Sequence, residues 1–179
     1  LAPWRPWRFV QSLGASKQGE SELTATASAE SSRFTGPWDL ESLGRPPEFA
    51  FGERKDGLQE VNYANEPYGG RGTRVFAWYG TPDSGIKVPA MVLAHGGGGK
   101  AFPEWVRMWV ERGYAALAMD FSGRGLDGQR LSDGGPDQGP DQKFADIRKG
   151  VREAWSYHAV AAILRGVSFL SHRPEVDAE

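Results

Sequence analysis

The chain has 179 residues, a net charge of −2 and no cysteine. That length suits one domain with a core of its own. The near-neutral charge gives no electrostatic reason for nucleic acid or an anionic membrane as a partner, absent cysteine excludes disulfides and thiolate metal ligands, and no apolar run approaches the ~18–20 residues of a membrane span.

The chain begins at Leu1 without an initiator Met or a recognisable signal peptide, as a mature form or an excised piece would. The opening "LAPWRPWRF" mixes Pro, Trp and Arg and reads as an arm, and "SELTATASAESS" over 21–32 reads as a polar linker. Residues 1–35 are therefore expected to be arm and linker, with the folded part over 36–179. "GPWDLESLGRPPEF" predicts a short helix near 38–43, stopped by Gly44 and two prolines.

Regular structure is expected from Leu58. "LQEVNYA" (58–64) and "TRVFAWYG" (73–80) carry strand formers, with turn chemistry over 66–72 between them and over 81–85 beyond. "VPAMVLA" (88–94) is almost wholly apolar, as a strand covered on both faces would be. "FPEWVRMWVERG" (102–113) predicts a helix, with Pro103 and Glu104 suited to its first turn and Gly113 as its stop. "YAALAMD" (114–120) predicts the next strand, so the strand–helix–strand order implies a parallel pair. Gly, Asp, Pro and Gln dominate 122–142, a long loop of the functional or mobile kind. A helix is expected over 155–172, where Tyr157, Val160, Leu164 and Val167 recur at helical spacing before Pro174. The fold class is α/β, with a mixed sheet that starts antiparallel and continues parallel.

Four glycines follow His95 directly after the 88–94 strand, and three chemistries compete for them. A P-loop requires Gly-Lys-Ser/Thr, but Ala101 follows Gly99-Lys100 and the first glycine position holds Ala94. Gly123, Gly125 and Gly128 match a dinucleotide fingerprint, but no helix is predicted there to receive a pyrophosphate. An oxyanion hole fits better, because amide hydrogens must face a cavity that side chains would block. The plain alternative is a glycine-rich turn that binds nothing.

The run from "VFAWYG" through "HGGGGKAFPEW" to "MDFSGRG", with "GPWDL" and the closing "FLSHRPEVDAE", resembles the N-terminal half of an α/β-hydrolase over roughly 36–179. It is most similar to the acetyl xylan esterase-like group, which neighbours the prolyl oligopeptidase-like peptidases. The resemblance implies an α/β-hydrolase fold and a serine carboxylesterase acting on acetyl esters of carbohydrate. It also implies that Gly97, with Gly98 as the next choice, offers an oxyanion N–H, and that His95 supports the loop without being the catalytic histidine. It calls for no metal or organic cofactor. A small-molecule or carbohydrate ester is the implied substrate, with no nucleic acid or membrane partner. A carbohydrate role fits a secreted or periplasmic protein.

The nucleophilic machinery is not found in these residues. A nucleophile elbow reads G-x-S-x-G between a strand and a helix. Ser168 in "GVSFL" lacks the second glycine and lies in a predicted helix, and Ser122 in "FSGRG" has no glycine two positions earlier. His158 and His172 fall within and at the end of the last helix, without partners in the expected order. Asp120 ends a strand and does not match the family's triad acid, and Lys100 reads as a solvated loop charge. In the family a strand after "PEVD" leads into the elbow, so all three triad members, and the C-terminal half that completes the site, are expected beyond Glu179. The 88–94 strand then becomes an apolar edge, and residues 1–179 alone are expected to be poorly soluble or to dimerise through it. A prolyl oligopeptidase-like serine peptidase and a non-catalytic binding module on the same scaffold are the alternatives.

Overall fold

The computed structural model describes residues 36–178. The expected arm and linker of 1–35 lie outside the described residues. The sheet is built from β1 (Phe49–Lys55), β2 (Leu58–Tyr68), β3 (Arg71–Gly80), β4 (Ala90–Leu93) and β5 (Ala115–Met119). The helices are α1 (Leu40–Leu43), α2 (Pro103–Val110), α3 (Pro140–Ala145) and α4 (Trp155–Ser171), with two short 3₁₀ turns over 146–153.

The strands run in the order β1-β2-β3-β5-β4. The first three pair antiparallel, β5 joins β3 antiparallel, and β4 pairs parallel with β5. This is the mixed sheet expected from the sequence, with two differences. Strand β1 was not anticipated, because "FAFGERK" is exposed along its whole length and shows no buried alternation. Strand β2 runs on to Tyr68, so the turn expected over 66–72 narrows to Gly69 and Gly70, both at positive φ. Glycine is favoured there because a Cβ is strained in that region.

Alternation along β3 and β5 creates a core on each face. Val75, Ala77, Tyr79, Leu117 and Met119 face α4, where Ala162 and Phe169 pack on them. Phe76, Trp78, Ala116 and Ala118 face α2 and Val106. Burial of each large side chain contributes roughly 1.5–3 kcal/mol. Close approach is enforced by glycines on both sides. A Cβ on Gly166 of α4 would stand 2.8 Å from Met119, and one on Gly80 would stand 2.9 Å from Leu58, Val106 and Val110. The buried Tyr63 hydroxyl donates to Ala162 O at 2.9 Å, so its burial leaves no donor unpaired.

Helix α1 is capped by Asp39, whose carboxylate accepts from Ser42 N–H at 3.0 Å. It is held to α4 by Ser168, whose hydroxyl donates to Leu43 O at 2.6 Å. Ser168 is thus committed to a helix contact, as its sequence context implied. No helix among the described residues is long and apolar enough to cross a membrane.

Candidate active site

Strands β4 and β5 end side by side, and the chain leaves both on the same edge. The glycine loop follows β4, and the 120–139 loop follows β5. His95 joins the two. Its Nε2 accepts the Phe121 N–H at 3.1 Å, which assigns the proton to Nδ1, and Nδ1–H donates to Gly96 O at 2.7 Å. The ring is buried and lies 4.7 Å from the Phe121 ring, centroid to centroid. One imidazole therefore fixes the loop that follows β4 to the backbone that follows β5.

The four glycines serve different ends. Gly98 has a φ of +74°, a conformation that favours glycine. Gly99 lies against His95, where a Cβ would stand 2.6 Å from Nδ1. Neither reason applies to Gly96 or Gly97. A Cβ on Gly96 would meet nothing within 4 Å, and one on Gly97 would meet only Lys143 Nζ, at an ordinary 3.7 Å. The N–H groups differ as well. Gly98 donates to Gln138 Oε1 at 3.2 Å. Gly97 N–H has no hydrogen-bond partner among the described residues.

The loop after β5 is pinned from within. Asp120 Oδ1 accepts from Ser122 N–H at 2.7 Å and Arg124 N–H at 2.9 Å. Burial nevertheless raises the Asp120 pKa, with those two amides opposing the shift. Ser122 is buried and its Oγ accepts from Gln138 Nε2 at 2.5 Å. Gln138 therefore ties Ser122 to Gly98. Arg130 adds a bond to Ser122 O, and Arg124 pairs with Asp137 at 2.8 Å. The segment read as a long loop over 122–142 turns into α3 at Pro140.

Neither serine weighed in the sequence has its hydroxyl on a histidine. Ser122 bonds Gln138, and Ser168 bonds carbonyls of Leu43 and Leu164. His158 Nε2–H donates to Arg152 O at 2.8 Å, and burial lowers its pKa. His172 Nδ1 lies 2.8 Å from Ser168 O at the end of α4. No group of three or more His, Cys, Asp or Glu among the described residues could hold a metal ion. A cavity of about 310 Å³ opens on the α2 side of the sheet, lined by Phe76, Trp78, Asp120 and Arg124. It reaches the glycine loop at Lys100 and Ala101.

Sequence reasoning missed Gln138, Lys143 and Trp155. Gln138 and Lys143 sit in or just after a stretch whose Gly, Asp and Pro gave no periodicity, and Trp155 was read only as the start of a helix. Trp155 Nε1–H donates to Phe121 O at 2.6 Å. The same residue whose N–H rests on His95 thereby also receives a bond from α4.

The family model described as acetyl xylan esterase (AXE1) matches residues 29–179. Two solved structures share the fold. The acetyl xylan esterase from Paenibacillus sp. R4 is 23% identical with a TM-score of 0.58, over 78% of this chain and 46% of that one. Acetyl xylan esterase 1 from Thermoanaerobacterium sp. JW/SL YS485 is 22% identical with a TM-score of 0.53, over 79% of this chain and 48% of that one. The chain thus spans less than half the length of either structure. No curated protein matches it.

Proposed function

Since the chain belongs to the acetyl xylan esterase family, we propose that it forms the N-terminal part of a serine carboxylesterase that removes acetyl groups from carbohydrate. Gly97 N–H is one oxyanion donor in this reading, and His95 holds the loop that presents it. The carrying observation is the pair of facts at Gly97. Its N–H has no partner among the described residues, and nothing in the fold requires glycine there. A glycine with no internal role, beside a free amide at the carboxyl end of a parallel strand, suits a ligand that must come close. Gly98, whose N–H is donated to Gln138, is the weaker donor.

The nucleophile comes from residues beyond 179. The last described residues support this. Val88, just before β4, pairs in parallel with Val176. Pro89 O bonds the β5 side through Ala115 N–H, so Val88 points to the other edge of β4. A strand continued from Val176 along that edge comes level with His95 about seven residues later, the same separation as from Val88 to His95. A turn there places a serine oxygen beside Gly97.

The chemistry is acyl transfer. The serine oxygen bonds to the acetyl carbon, the carbonyl π pair moves onto oxygen, and Gly97 N–H receives the resulting negative charge. Collapse restores the carbonyl and releases the sugar alcohol, and water then frees acetate. The test is hydrolysis of acetylated xylan and of a prolyl dipeptide amide by the protein of the complete reading frame. Acetate release without amide cleavage supports the esterase. Amide cleavage supports a peptidase, and neither reaction supports a binding module.

A further inference from the structure

Lys143 on α3 stands beside the glycine loop. Its Nζ lies 4.9 Å from the Trp155 ring centroid and 5.7 Å from that of Phe144. It is 3.7 Å from the point a Cβ on Gly97 would occupy. Its side chain is half-buried, and it has no ion pair among the described residues. By contrast Lys149, on the 3₁₀ turn that follows α3, pairs with Asp146 at 2.9 Å.

An ammonium packed on an indole keeps some stabilisation from the ring and keeps its donors for another group. The indole is fixed by its bond to Phe121 O, and Phe121 N–H is fixed on His95. Lys143, Trp155, Phe121, His95 and the glycine loop thus form one connected set. Within it the Lys143 ammonium lies beside Gly97, whose N–H has no partner among the described residues.

We propose that Lys143 is a catalytic residue that adds an electrostatic contact to the oxyanion, beside Gly97 N–H and the amide that follows the nucleophile. This rests on the esterase reading. Gly98 is not available for that role while its N–H is donated to Gln138. As the serine oxygen bonds to the acyl carbon, the carbonyl π pair becomes an oxygen lone pair between the Gly97 amide and the Lys143 ammonium. The serine proton goes to the general base and leaves with the departing alcohol. Lys143 keeps its own protons throughout, so the step balances without it as an acid. A fixed positive charge favours the oxyanion over the neutral ester, so it acts on kcat more than on KM.

The test uses the protein of the complete reading frame, with 4-nitrophenyl acetate as substrate. Lys143→Met is expected to lower kcat by roughly 10²-fold with KM within about twofold, and Lys143→Arg to restore most of the loss. Lys143→Gln gives the same readout if the Met variant does not fold. A KM rise at constant kcat makes Lys143 a substrate-binding residue and overturns the proposal. An unchanged kcat, or an Arg variant no better than Met, also overturns it. Wild-type protein without esterase activity removes the esterase reading, and this proposal with it. An active wild type with an unaffected Met variant removes only the role of Lys143.

Discussion

Val88 holds the chain's last described segment in parallel pairing. Its N–H donates to Glu175 O at 3.0 Å, and its carbonyl accepts from Asp177 N–H at 2.8 Å. Both bonds lie on the edge of β4 that β5 does not use. The residues after α4 thus form one parallel rung beside Val88, which in the proposed reading is the first of a further strand. That strand would run towards the glycine loop.

This rung depends on Glu175. Its carboxylate accepts from the Tyr79 hydroxyl at 2.5 Å and pairs with Arg173 at 3.3 Å. Burial pushes its pKa up, but the Tyr79 bond, its own backbone and Arg173 outweigh that and hold it below its ordinary 4.5. A lowered carboxylate pKa gives stability that is present above about pH 4.5 and is lost as pH falls through the folded value. The protection factor of the Asp177 amide, its exchange relative to the intrinsic rate at each pH, is expected to fall below pH 4.5, and in Glu175→Gln to be low and independent of pH. Identical exchange profiles in the two proteins would contradict this.

The four glycines separate by substitution. Gly99→Ala drives a Cβ to 2.6 Å from His95 Nδ1, and is expected to cost about 1–3 kcal/mol in denaturant unfolding. Gly96→Ala and Gly97→Ala are expected to fold with stability within about 0.5 kcal/mol of wild type. Gly97→Ala should nevertheless lower kcat/KM of the complete protein at least tenfold, because its methyl enters the space where substrate must lie. A full-activity Gly97→Ala variant would place the oxyanion elsewhere.

Much of this was legible in the sequence. Strands β3 and β5 could be read because both their faces are buried, so apolar residues run on without a break. Helix α2 announced itself through Pro103, Glu104 and Gly113. Strand β1 was not legible. Its seven residues are all exposed, and its pairing with β2 uses backbone groups that leave no apolar pattern. The glycine run suggested a ligand loop, but the division of labour within it could not be read from the sequence. That Gly99 makes room for a ring, and that Gly98 is bonded to a glutamine forty positions on, are facts of tertiary contact. Lys143 was hidden for the same reason.

Asp120 offers a test of charge against shape. Its Oδ1 holds two backbone amides, while burial raises its pKa and so disfavours the ionised form. A raised carboxyl pKa means stability that is full below its ordinary value of 3.8 and declines as pH rises through the folded value. Asp120→Asn keeps an acceptor and removes the buried charge, so its thermal midpoint at pH 7 is expected to equal or exceed wild type. Asp120→Ala leaves both amides unpaired and is expected to lose about 1–3 kcal/mol. A large loss in the Asn variant would show that the charge itself is needed.

Past Val88, the outer edge of β4 has no strand paired to it among the described residues. Met91, Val92 and Leu93 are half-buried and Ala94 is exposed. An apolar edge of this kind pairs with whatever strand it meets. Residues 1–179 are expected to self-associate as concentration rises, seen in sedimentation velocity. A sharply melting monomer across the range would contradict an open edge.

The most direct test of the half-site is chemical. The protein of the complete reading frame would be treated with a fluorophosphonate that labels activated serines, then digested and mapped by mass spectrometry. The expected result is a single labelled serine within about ten to fifteen residues of Val176, with the Gly97 amide resonance shifted on labelling. A labelled serine within 36–178, or no labelled serine at all, would contradict the assignment of the glycine loop as one side of an oxyanion hole.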